Sequence, residues 1–169
     1  MRHLLKNTWI FVLLAIVFVG CSRSEGSDDG SYFIKMRVDE RAVVCKPINA
    51  YLIKYRATVG NEEKDLVHIT FSCPANNDPL ETITVGMTDF KGLGTYDLKK
   101  PENPQNTAQY AKNVTIADEV CGAVEGEITV TGVTEASITG TFKFTGVNHT
   151  NSKSVKITDG SFHLPLKKS

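Results

Sequence analysis

From Tyr32 to the end of the chain, apolar residues recur at every second position. A helix buries a stripe with a period of 3.6, whereas a strand with one face on a core alternates with a period of 2, so this pattern admits sheet and little else. "YFIKMRV" sets Tyr32, Ile34, Met36 and Val38 against Phe33, Lys35 and Arg37. "INAYLIKYRAT" aligns Tyr51, Ile53 and Tyr55 on one side, and "DLVHITFSC" aligns Val67, Ile69, Phe71 and Cys73 against His68, Thr70 and Ser72. Asp39-Glu40 reads as a turn into "RAVVC". Further strands are expected at "ETITVGMT", "GTYDL", "NVTIA", "GEITVTGV", "SITGTFKFTGV", "SVKIT" and "SFHLPL", each bounded by Gly, Asn, Asp or Pro. Only "NTAQYAKN" could hold a short helical turn. The expected fold class is all-β, an antiparallel β-sandwich, immunoglobulin-like or related, with little or no helix.

Ahead of this domain, Arg2, His3 and Lys6 precede an unbroken apolar run from Trp9 to Val19 that ends at Gly20 and Cys21. These are the basic and apolar regions of a secretory signal, and the run is too short to cross a hydrocarbon layer of about 30 Å. "Phe18-Val19-Gly20-Cys21" resembles a bacterial lipobox. That resemblance implies cleavage between Gly20 and Cys21 and acylation of the Cys21 thiol and new amino group. Buried acyl methylenes contribute about 0.8 kcal/mol each, so two or three chains would hold the protein on a membrane. The expected division is a signal peptide over 1–20, a polar tether over 21–31 and a β-sandwich domain over 32–169. Within the tether, Ser27, Asp28 and Asp29 look like the acidic export tag of some Bacteroidetes lipoproteins. They imply an outer-membrane location exposed at the cell surface, with the periplasmic face as the alternative.

Loss of residues 1–20 lowers the basic count from 19 to 17 against 19 acids, a formal charge of −2. Such a balance gives no electrostatic footprint for nucleic acid. Of the four cysteines, Cys45, Cys73 and Cys121 remain once Cys21 is acylated, so at most one intramolecular disulfide can form. None shares a C-x-x-C spacing, and buried small hydrophobes are the expected role.

"GTY" at Gly94 to Tyr96, "GEITVTGVTEASITGTFKFTG" from Gly126 to Gly146 and "VKITDGSFHLPL" from Val155 to Leu166 resemble a family of small Bacteroidetes lipoproteins of unknown function. The resemblance implies a lipid-anchored β-sandwich and carries over no catalytic residue. It departs at the first hairpin, where Asp39-Glu40 replaces Asp-Gly, so a looser turn is expected there. Gly140 suits a bend or bulge, Phe142 and Phe144 face one core, and Asp159-Gly160 suits a turn or bulge with Gly at positive φ.

The mature histidines, His68, His149 and His163, have no metal-ligand spacing, and no G-x-S-x-G, H-E-x-x-H or P-loop pattern occurs. The acidic pairs Asp28-Asp29, Glu62-Glu63 and Asp118-Glu119 fall in tether or turn sequence. No cofactor, metal or enzymatic activity is expected. Leu98 to Asn113 has the least strand character, which makes Lys99, Lys100, Glu102, Asn103, Gln105, Asn106 and Tyr110 the candidate binding loop. Among the tyrosines Tyr51, Tyr55, Tyr96 and Tyr110, Tyr110 is expected to be exposed and the others to pack in the core. The favoured function is a non-enzymatic envelope lipoprotein that binds another protein or serves as an accessory module. A glycan-binding lipoprotein comes second, and a hydrolase assembled only in three dimensions comes third.

Overall fold

Alternation at period two becomes ten strands in the computed structural model, which describes residues 32–45, 49–59, 61–75, 77–98 and 106–168. They are β1 (Phe33–Val38), β2 (Arg41–Cys45), β3 (Ala50–Val59), β4 (Glu62–Pro74), β5 (Thr82–Met87), β6 (Gly94–Asp97), β7 (Asn106–Ala111), β8 (Val120–Val133), β9 (Ser137–Val147) and β10 (Ser154–Lys168). All ten belong to one continuous sheet, β2-β1-β10-β3-β4-β5-β7-β8-β6 with β9 between β10 and β8, which folds into two layers, β2-β1-β10-β9-β8-β6 and β3-β4-β5-β7. They join where β7 pairs with the start of β8 and where the end of β10 runs parallel to the start of β3, Leu166 opposite Ala50. All other pairings are antiparallel. The all-β sandwich holds, with its two layers linked at both corners.

The core lies between the layers. Phe71 of β4 meets Phe162 of β10 with ring centroids 5.1 Å apart, and Phe142 of β9 lies 6.3 Å from Phe162. Val155 and Ile157 point inward along the first half of β10, and Phe162, Leu164 and Leu166 along the second. A change from odd to even numbering would turn the second half outward in a regular strand. One extra residue between Ile157 and Gly160 corrects the phase, a bulge that joins the two expected strands into one. Asp159, at φ 50°, takes the left-handed conformation there, so the expectation that Gly160 would do so is corrected. Gly160 instead lies opposite Phe142, whose ring occupies the space of a Cβ, and Phe162 lies over Gly140 in the same way. Gly140 is therefore a close-approach residue rather than a bend.

Three further expectations change. "NVTIA" is a turn, in which Asn113 accepts from the backbone N–H of Thr115 at 2.9 Å, followed by a single 3-10 turn at Ala117–Glu119. Asn113 bends the chain onto itself before a ladder can form. The segment containing "NTAQYA" is neither loop nor helix but β7, held in the ladder between β5 and β8. The first hairpin is tight rather than loose: Val38 pairs with Arg41, and both Asp39 (φ 45°) and Glu40 (φ 70°) adopt the positive φ of a two-residue I′ connection. Asp39 secures that conformation by donating its N–H to Lys156 O at 2.9 Å and accepting the Lys156 N–H at 2.8 Å.

Candidate functional site

β3 and β4 form a ladder from Tyr51–Thr70 out to Val59–Glu62, longer than the layers on which they rest. β4 pairs with β5 only from Ile69 to Pro74, and β3 pairs with β10 only from Ala50 to Leu52. Beyond these points the two strands continue as a two-stranded arm. Its sequence explains why it leaves the core: Glu62, Glu63, Lys64 and Asp65 put charge on both faces of β4, so neither face can be buried there.

On the outward face of the arm and its root, Tyr51, Ile53 and Tyr55 stand in a row, 42%, 38% and 37% exposed. Alternate residues of a strand lie about 7 Å apart, so the row is some 13 Å long. Leu66, opposite Tyr55, and His68, opposite Ile53, widen it. The polar groups beside it are already engaged. His68 Nδ1 lies 3.2 Å from Thr88 Oγ1, its ring crowds the bare Cα of Gly86, and burial pulls its pKa below the ordinary histidine value. Thr70 donates to Val85 O at 3.1 Å. On the opposite face Arg56 forms a two-pronged pair with Asp65, at 2.8 and 3.4 Å.

Tyr110, the residue expected to be exposed, is buried. Its hydroxyl donates to Glu81 Oε1 at 2.6 Å, and Arg41 reaches the same carboxyl group with both terminal nitrogens. Burial, then Glu81, pushes the Tyr110 hydroxyl well above the ordinary phenol pKa, and Glu81 raises that of Arg41. The other three tyrosines, expected in the core, divide: Tyr96 stacks on Phe90 at 5.6 Å and donates to Gly92 O, whereas Tyr51 and Tyr55 face solvent. Asn106 lies in β7 and donates to Asp97 O at 3.1 Å. Lys99, Lys100, Glu102, Asn103 and Gln105 lie outside the described residues, as do Gly20, Cys21, Ser27, Asp28 and Asp29.

A hollow of about 440 Å³ lies on the outer side of the β6-β8-β9-β10 layer and includes Asp97, Glu125, Glu127 and Lys143. Lys143 pairs with Glu127 at 3.0 Å and Thr145 donates to Glu125 at 2.9 Å, so these groups satisfy one another. Among the described residues no cluster of three or more His, Cys, Asp or Glu is placed to hold a metal ion.

A family model described as a domain of unknown function, DUF6252, matches residues 54–164, from within β3 to within β10, so that β1, β2, Tyr51 and Ile53 lie ahead of the matched segment. No curated protein and no solved structure matches the chain.

Proposed function

The chain belongs to the DUF6252 family of domains of unknown function, and from that premise we propose that it is a non-enzymatic, lipid-anchored envelope module that binds a partner protein through its β3–β4 arm. The observation that carries this reading is the row Tyr51, Ile53 and Tyr55 on an arm that core packing does not require. Tyrosine brings large contact area at low entropic cost, and aromatic residues are enriched where proteins meet. A glycan is the weaker fit: Ile53 interrupts the aromatic platform, and His68 Nδ1 and the Thr70 hydroxyl are already hydrogen-bonded inside the protein. The signal and tether sequence supports the anchor, with Cys21 as the acylated residue and the Ser27-Asp28-Asp29 segment favouring the outer-membrane surface.

Two experiments test the two halves of the reading. Cys21→Ser should move the protein from membrane to soluble fractions, and a variant still wholly sedimenting with membranes sinks the anchor. A photo-crosslinking residue at position 53 in the native envelope should yield a discrete protein adduct that the same residue at Lys143 does not. Equal patterns from both positions, or specific signals on a glycan array that Tyr51→Ala abolishes, would overturn the protein-binding assignment.

A further inference from the structure

Three cysteines remain in the folded domain, and they are not equivalent. Cys45 ends β2 and Cys73 lies near the end of β4; each is buried to within 1% of complete, and both belong to the same core. Outside the named ladders, Cys45 forms a β-bridge with Ala75, antiparallel to it. Cys73, two residues before Ala75, projects from the same inward face, which makes it the diagonal cross-strand neighbour of Cys45. Its thiol pKa is held far above the ordinary value, first by the Cys45 thiol beside it and then by burial. Cys121 sits elsewhere, opposite Tyr110 at the start of β8, with its Sγ 3.9 Å from Lys153 O. It lies near Val38 and Arg41, at the turn end of the β1–β2 hairpin, whereas Cys45 lies at the open end opposite Ile34.

We propose that Cys45 and Cys73 are a disulfide-forming pair that covalently ties β2 to β4, while Cys121 remains a thiol. An exported chain meets an oxidising compartment, where a bond between two adjacent thiols persists. The oxidant is a disulfide donor of the dithiol-oxidase or oxidised-glutathione class. One cysteine thiolate attacks a donor sulfur and expels the first donor thiolate. The second cysteine then attacks the mixed disulfide at the protein sulfur and expels the other. Two electrons and two protons thus leave the pair as two donor thiols, and one S–S bond forms. Because both sulfurs are sealed in the finished core, exchange takes place before β2 docks, and the bond then resists reductants until the domain unfolds. This pairing rests on the export proposed above and is independent of the proposed partner surface.

Thiol counting on the mature protein, purified from its native envelope, tests the pairing. With Cys21 acylated, maleimide labelling in guanidinium without reductant should add one label, at Cys121, and prior reduction should raise this to three; an unacylated Cys21 adds one label to both counts and is identified by peptide mapping. Peptide mapping should recover Cys45 joined to Cys73. Three labels without reduction, or a bridge mapped to Cys121, would overturn the proposal. Cys45→Ser should add a label at Cys73 and lower Tm by about 10 °C, the scale expected for opening a loop of this length. Cys121→Ser should leave both the bridge and its protection intact. Should Cys45→Ser fail to accumulate, the label count on the unaltered protein still decides.

Discussion

Two hairpins of the same domain meet opposite fates. β1–β2 lies down on the sandwich and is fastened along its length: Ile34, Met36, Val38, Val43 and Cys45 are buried, Cys45 bridges to Ala75, and Arg41 engages Glu81 and Tyr110. β3–β4 begins in the same way and then runs off the layer, with its outer residues exposed on both faces. Its visible ties, Arg56–Asp65 and Lys64–Glu62, join side chains that are at least half exposed, where an ion pair contributes about 0–1 kcal/mol. One hairpin spends its polar groups on the fold. The other leaves tyrosines and an isoleucine facing water, and isolated two-stranded ribbons are only marginally stable. An arm that the core does not need, carrying apolar surface that water disfavours, is better explained by contact than by stability.

Unfastening the first hairpin should give the largest effect. In Glu81→Ala the buried Tyr110 hydroxyl loses its acceptor and Arg41 its counter-charge. Complete burial of such a broken pair costs 3–5 kcal/mol, but Arg41 is half in water and can recover hydration, so a loss of about 2–3 kcal/mol is expected. Urea unfolding with an unchanged slope would measure it. A loss below about 0.5 kcal/mol would mean that this clamp does not distinguish the hairpins. Tyr110→Phe removes the short bond to Glu81 and the longer one from Arg41 but leaves the Arg41–Glu81 pair, so about 1 kcal/mol should go.

This clamp was hidden in the sequence for a physical reason. Arg41 and Glu81 are 40 residues apart and each looks like surface charge, and Tyr110 sits among Asn, Gln and Lys. Nothing local marks the fold that brings them together. The stripes Ile69-Phe71-Cys73 and Phe142-Phe144 were legible because their opposite faces are polar, which leaves one inward choice. In β3 the choice was open: Tyr51, Ile53 and Tyr55 alternate with Leu52, Lys54 and Arg56, and period two does not say which face meets a core. Across the ladder, four consecutive charges in β4 mark only the outer part of the arm, Glu63, Lys64 and Asp65 opposite Thr58, Ala57 and Arg56. Tyr51, Ile53 and Tyr55 pair with Thr70, His68 and Leu66, which leave the choice of face open. The role proposed for Cys21 and its tether rests on sequence alone, on the spacing of a cysteine from an apolar run.

A smaller change of opposite sign should tighten the fastened hairpin. Glu40 holds φ 70°, a conformation that costs a side-chain-bearing residue about 1–2 kcal/mol, and glycine would relieve it at some entropic cost in the unfolded chain. Glu40→Gly should therefore raise stability by about 0.5–1 kcal/mol. Asp39→Gly, at the neighbouring position, should gain less or lose, because it also deletes the 2.8 Å bond from the Lys156 N–H. Equal gains at both sites, read from thermal melts, would show that the Asp39–Lys156 tie contributes nothing.

The smallest effect on stability is expected where the proposed function is greatest. Ile53→Thr keeps a β-branched residue in the strand and exchanges a partly exposed apolar tip for a hydroxyl, so the fold should change by no more than about 0.5 kcal/mol. Contact energy concentrates in a few central residues, and Ile53 is the centre of the row, so the same substitution should reduce partner crosslinking from position 55 several-fold. The paired measurements separate the two accounts of the arm. If its apolar row merely braces β4, stability falls with crosslinking unchanged; if the row is a contact surface, crosslinking falls while the melt stays where it was.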